Sequence, residues 1–119
     1  PEEGYRAFKT LWRASAQPTA IVAMGDLLIL GVLEAARELG VQIPHDVSLV
    51  GYDDINFSRI TTPPLTTIRQ PTIDKGRTAA RLLIDLIAGK PVESECLLLP
   101  VTLIERESVR QLERESPYP

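Results

Sequence analysis

Val47-Ser48-Leu49-Val50-Gly51-Tyr52-Asp53-Asp54 is the stretch that decides the fold of this chain. A short run rich in Val and Leu is the pattern of a strand buried on both faces, and this one stops at Gly51 followed, past Tyr52, by two carboxylates. In parallel α/β sheets ligands bind in the crevice beyond the carboxyl ends of the strands, so Asp53 and Asp54 stand where a binding site would be built.

Working toward the N-terminus, Thr19-Ala20-Ile21-Val22-Ala23-Met24 is a second strand-like run, and it too ends at an acid, Gly25-Asp26. Between the two, Leu27 to Leu39 reads as a helix, with Gly40 as its stop and Pro44 just beyond. Its first half, from Leu27 to Leu33, is apolar nearly all the way round. It must therefore be covered on more than one side, and a second subunit is the expected cover. Upstream, Pro1-Glu2-Glu3 suits a helix start, and Tyr5, Phe8, Leu11 and Trp12 recur at helical spacing over Glu2 to Ser15. That stripe reads as core, the competing reading being a platform for stacking on a sugar.

Downstream, a polar loop runs from Asp53 to Thr62. Leu65 to Arg69 alternates like a short strand, and Gln70-Pro71 ends it. Ile73 to Ala88 is a helix with apolar residues at Ile73, Ala80, Ile84 and Ile87, closed by Gly89 and Pro91. Glu95 to Ile104 is extended, and Pro100 confines it to an edge. After Glu105 the chain turns charged and is expected to fray. Two strand–helix units in series imply a parallel sheet with helices on its faces, which sets Asp26 and Asp53 on the same edge.

Composition narrows the function. With 44% apolar and 24% charged residues in 119, the chain has the make-up of one globular domain or a piece of something larger. The net charge of −3 argues against a nucleic-acid footprint within this stretch. No apolar run is long enough for a bilayer, and the lone Cys96 fits a reducing, cytoplasmic compartment. The chain opens at Pro1 without Met, which reads as excision from a longer protein.

Two acids in one crevice admit two kinds of chemistry. Carboxylates at neighbouring strand ends can hold a hard cation such as magnesium. Yet the sequence has no glycine-rich phosphate cradle, no nucleophile elbow and no metalloprotease motif, and its one histidine, His45, lies in the turn before the strand, on the opposite edge. The alternative is binding without chemistry: a carboxylate accepts two hydrogen bonds at once, which suits the vicinal hydroxyls of a sugar or ribose. Asp53 is placed for that, while Asp26 at a helix start also reads as a cap and Asp54 as a turn residue.

These residues together resemble the effector-binding region of the LacI/GalR family of bacterial transcription regulators. The matching motifs are Pro18 to Ala23, Asp26 to Gly31 with Glu38-Leu39-Gly40, Ile43-Pro44 through Asp54, Pro63-Pro64-Leu65-Thr66-Thr67-Ile68-Arg69-Gln70, and Arg106-Glu107-Ser108. The resemblance implies an incomplete α/β fragment, a parallel-sheet lobe of a periplasmic-binding-protein-like (type I) fold. It implies no catalysis, no cofactor and no metal. The implied partners are a sugar-like or nucleoside-like effector, a second copy of the chain, and operator DNA reached only through a helix-turn-helix expected before Pro1.

Residue by residue, the resemblance points to Asp53, Gln70, Gly25 and Asp26 as effector-binding, and to Leu27, Leu30, Leu33 and Thr61 as dimer interface. Gly25 departs from the family's usual Asn, and Ile29 from a usual small residue. Residues 1–70 then form the C-terminal lobe, 71–91 a helix normally belonging to the other lobe, 92–108 the returning strand, and 109–119 a tail. The helix from Ile73, deprived of that other lobe, is expected to pack on a neighbouring chain or move onto its own lobe. The rival readings are a transporter's solute-binding protein, which shares the fold, and a metal-dependent enzyme using Asp26 and Asp53.

Overall fold

The computed structural model describes residues 1–92 and 96–112. Its order is α1 (Glu2–Trp12), β1 (Ala20–Val22), α2 (Asp26–Glu38), β2 (Ser48–Tyr52), a 3-10 turn over Asn56–Arg59, β3 (Thr66–Arg69), α3 (Thr72–Ile87) and β4 (Thr102–Ile104). The strands form one sheet in the order β1-β2-β3-β4, the first three parallel and β4 antiparallel at the edge. The predicted elements are present, with ends shifted by one to three residues in most and β4 confined to the end of its predicted stretch. The start of that stretch, at Glu95, and the tail beyond residue 112 lie outside the described residues.

Helix α2 packs against both α1 and β2. Ile29, Val32, Ala35 and Ala36 of α2 form the core with Phe8 of α1, Val47, Leu49 and Leu65. The aromatic stripe is thereby settled as packing: Phe8 is buried, and its ring stacks on Trp12 at 5.5 Å between centroids. Two glycines let the helices approach. A Cβ at Gly4 would stand 2.0 Å from the carbonyl oxygen of Leu28, and one at Gly31 would stand 1.8 Å from that of Pro1. A further tie is polar: the Tyr5 hydroxyl donates to Glu38 at 2.6 Å, and Lys9 donates to both. The Tyr5 hydroxyl first, and Lys9 second, hold the Glu38 carboxyl below its ordinary pKa.

Helix α1 therefore supplies much of the cover that the sequence reading assigned to a second subunit. Ile29, which stands where the resemblance implies a small residue, is fully buried in the chain's own core. Leu27 remains 55% exposed, with Leu30 and Leu33 half-buried beside it.

The segment after Glu105 does not fray where it is described. Ser108 is buried and plugs the gap where β2 and β3 splay: its hydroxyl donates to the Leu49 carbonyl at 2.6 Å and accepts the Thr66 N–H at 2.8 Å. Its backbone carbonyl takes the Leu49 N–H, and Arg110 caps the carbonyls of Pro44 and His45. The charged composition hid an anchor, because the side chains here bind backbone rather than solvent.

Helix α3 does not fold back onto its own lobe, one of the two placements expected of it, the other being against a neighbouring chain. None of its described residues is buried, and Ile84 and Ile87 are 64% and 78% exposed. The cause lies in its connections. Arg69 pairs with Thr102 in the antiparallel β3–β4 ladder, so the chain leaves and re-enters the sheet at the same end and α3 is carried outward. The radius of gyration is 19.0 Å, against about 13 Å for a compact chain of this length.

Substitution to Ala should act with opposite signs at two glycines. Gly4→Ala forces a methyl into the backbone of α2 and should lower stability by about 2 kcal/mol. Gly76→Ala, where a Cβ meets nothing within 4 Å, should strengthen α3 by about 0.5–1 kcal/mol. Urea unfolding and the helical circular dichroism of the two variants check both.

Candidate functional site

Of the three acids near the crevice beyond β1 and β2, only Asp53 is open to it, and Asp26 and Asp54 are placed differently from the sequence reading. Asp26 does not face it. The side chain is 2% exposed, and its Oδ2 accepts the Ser58 hydroxyl at 2.5 Å and the Ile55 N–H at 3.1 Å. Its Oδ1 accepts the Thr67 hydroxyl at 2.6 Å. Nor does it cap its helix, since Gly25 holds the N-cap position and no side-chain cap bond forms. Asp26 is a buried knot tying the start of α2 to the loop after β2 and to β3, and an effector has no access to its oxygens. Gly51 makes room for it, because a Cβ there would stand 2.0 Å from Asp26 Oδ1.

Asp53 and Gln70 do meet. Asp53 is exposed past the end of β2, and Gln70, just past the end of β3, donates from Nε2 to its Oδ1 at 2.6 Å. Lys75 donates to the Gln70 Oε1 at 3.1 Å, which orients the amide so that its NH2 points at the acid. No described group donates to Asp53 Oδ2. That oxygen faces Gly25, where an added Cβ would make ordinary contact at 3.7 Å. The site thus presents one oxygen already hydrogen-bonded and one open beside a residue without a side chain.

Asp54, read from the sequence as a turn residue, does turn the backbone, but its side chain carries more. It is 2% exposed and accepts from Arg106 Nη2 on Oδ1 and from Arg69 Nε on Oδ2, both at 2.6 Å. Burial pushes its carboxyl pKa up, and the Arg106 and Arg69 guanidiniums outweigh that and leave it below the ordinary value. Arg106 also donates to the Leu65 carbonyl at 2.7 Å, so its guanidinium is satisfied on two edges. Sequence reading missed this cluster, as it missed Ser58 and Thr67. The three charged residues lie far apart in the chain, and no local spacing links Asp54 to Arg106.

Of the interface candidates, Leu27 is exposed and Leu30, Leu33 and Thr61 are half-buried. Leu33 also lines a surface pocket of about 750 Å³ with Ile43, Thr62, Pro63 and Pro64. His45 sits exposed in its turn beside Asp46, away from the crevice. Among the described residues no group of three or more His, Cys, Asp or Glu is arranged to hold a metal, and no helix is long and apolar enough to cross a membrane.

A mostly parallel sheet with helix α2 packed on it and the exposed Asp53 just past the carboxyl end of β2 has the architecture of a lobe of the α/β class. The chain belongs to the periplasmic binding protein-like domain family, whose sequence profile matches residues 2–109. The transcriptional repressor PurR of Escherichia coli O1:K1 is 45% identical over 109 residues, covering 92% of this chain and 32% of the repressor. A LacI family transcriptional regulator from Enterococcus faecium, solved with bound ribose, superposes with a TM-score of 0.78 at 37% identity, covering 92% of this chain and 40% of that one. The lac repressor dimer bound to operator and the anti-inducer ONPF gives 0.80 at 35% identity, covering 89% and 37%. The chain thus spans about a third of the length of the curated relatives it matches.

The pH dependence of stability should carry the mark of Asp54. Its folded pKa lies below the unfolded one, so its contribution is complete above the ordinary carboxylate range and is lost as pH falls through the depressed folded value. At neutral pH Asp54→Asn should be less stable by roughly 3 kcal/mol. Urea midpoints of the two proteins should converge in acid, once Asp54 itself is protonated.

Proposed function

We propose that this chain is the effector-sensing and dimerisation part of a LacI-type, ligand-controlled transcriptional repressor. The observation that carries the reading is the open Oδ2 of Asp53, presented at a strand end beside Gly25 while Gln70 occupies the other oxygen. The effector is a sugar-like or nucleoside-like molecule whose hydroxyl or N–H donates to that oxygen. Relatives of the same fold with bound ribose and bound cellobiose support this class. Gly25 contributes room, and the Gln70 amide contributes orientation.

The chain does no catalysis in this reading and works in the cytoplasm as a homodimer. Leu27, Leu30, Leu33 and Thr61 form the interface, and the partial exposure of the three leucines on one stretch of α2 supports it. Operator DNA is touched by another part of the full-length protein, in keeping with the net negative charge here. An effector that prefers one arrangement of the lobes shifts the population toward it, and the dimer carries that shift to the DNA-binding heads.

Two measurements test the proposal on the full-length protein. Calorimetric titration with a panel of pentoses, hexoses and nucleosides should find a ligand whose affinity falls by about 10- to 100-fold in Asp53→Ala, the loss expected when a charge-assisted hydrogen bond is removed. A bound ligand indifferent to that change would sink the role of Asp53. Sedimentation should show a dimer that Leu30→Asp dissociates; a monomer in both would remove the interface.

A further inference from the structure

The backbone that presents Asp53 is in an unusual state. Asp53 has φ of +117° and Asp54 φ of +52°, so two consecutive residues with side chains occupy the region that favours glycine. Conformations of this kind persist only where the surroundings over-determine them. At Asp53 the restraint is a hydrogen bond from its own N–H to the Ile68 carbonyl at 2.8 Å, which continues the β2–β3 ladder by one step. At Asp54 it is the pair of guanidinium contacts on a side chain almost wholly removed from solvent.

We infer that Asp54, Arg69 and Arg106 form the positioning unit for Asp53: the two ion pairs hold the reversed backbone that swings the Asp53 carboxylate toward Gln70 and Gly25. A strand continued past Tyr52 with ordinary dihedrals would turn the next side chain to the face of the sheet opposite Tyr52. The reversal re-aims it. The Asp54 side chain is closed to solvent and both its oxygens are taken by arginines, so it acts only through the backbone of its neighbour. Both of its oxygens are needed, because each accepts from a different arginine. An asparagine tolerates the same backbone but offers one acceptor, and its NH2 would face the other guanidinium donor to donor. The two arginines are not equal: Arg106 is 13% exposed and fixed on the Leu65 carbonyl, whereas Arg69 is 47% exposed. Arg106 therefore carries the larger share of the restraint.

The purpose assigned to this unit rests on Asp53 being the effector acid, but the geometry can be tested without any effector. The reporter is the side-chain amide of Gln70, which is bonded to Asp53 only while the acid is aimed as described. In 15N–1H correlation spectra of the chain, Asp53→Ala defines the position of the released amide. Asp54→Asn and Arg106→Met should move the Gln70 pair at least halfway to that position, and Arg69→Met by less. The backbone amide of Leu49, held by the Ser108 carbonyl, should stay in place in all three. A Gln70 pair left at its parent position in folded Asp54→Asn and Arg106→Met would overturn the inference. If Asp54→Asn fails to fold, the solvent-exposed Arg69→Met still decides, since no movement there, with Arg106→Met unmoved as well, refutes the unit. A shifted Gln70 pair in a protein whose parent binds nothing in the sugar and nucleoside panel would leave the positioning unit standing and remove the effector reading alone.

Discussion

The buried carboxylate of Asp26 is the constraint on which the remaining structure depends. Removing a charge from water is costly unless its lone pairs are filled, and here a serine hydroxyl, a threonine hydroxyl and a backbone N–H fill them from two different segments. Those segments are the loop after β2 and the strand β3, drawn against the first turn of α2. The loop is thereby fixed at its far end by Ser58, while β2 fixes its near end. Asp53 and Asp54 lie between these two anchors, so the crevice inherits its shape from an acid closed to solvent. Gly51 is part of the same arrangement, since any side chain there would stand where the Asp26 oxygen lies.

Fold class was legible because it is written in local patterns. The apolar runs at Ile21 and Leu49 and the glycine and proline punctuation around residues 40–44 and 89–91 mark the elements almost to their ends. Asp53 was legible for the same reason, as an acid immediately after a buried strand. Asp26 shows where such reasoning fails. Its position at a strand end resembles that of Asp53, but whether a carboxylate turns outward or inward depends on donors such as Ser58 and Thr67, 32 and 41 residues away. The ending at Arg106 to Arg110 failed in the opposite sense: charge suggested solvent, whereas Ser108 and both arginines are spent on backbone carbonyls and on Asp54.

The half-covered state of α2 likewise separates what one chain satisfies from what it leaves over. Helix α1 and the sheet take Ile29, Val32 and Ala36, the residues a single chain can bury. Leu27 is left over at the end of α2 nearest the crevice, with Met24 80% exposed just before it. The apolar remainder of the helix and the proposed ligand site therefore sit at the same end of the lobe.

The paired strands that carry α3 have a mechanical meaning. Arg69 and Thr102 lie side by side in adjacent strands, about 4.8 Å apart, and every residue of the projecting arm hangs from these two points. A body held by one strand can spin about it. Held by two, it keeps only the bending that a narrow ribbon allows, about an axis lying across both strands. Whatever the arm joins can thus approach or recede from the crevice but cannot rotate freely over it, and the angle between the two bodies becomes a single coordinate.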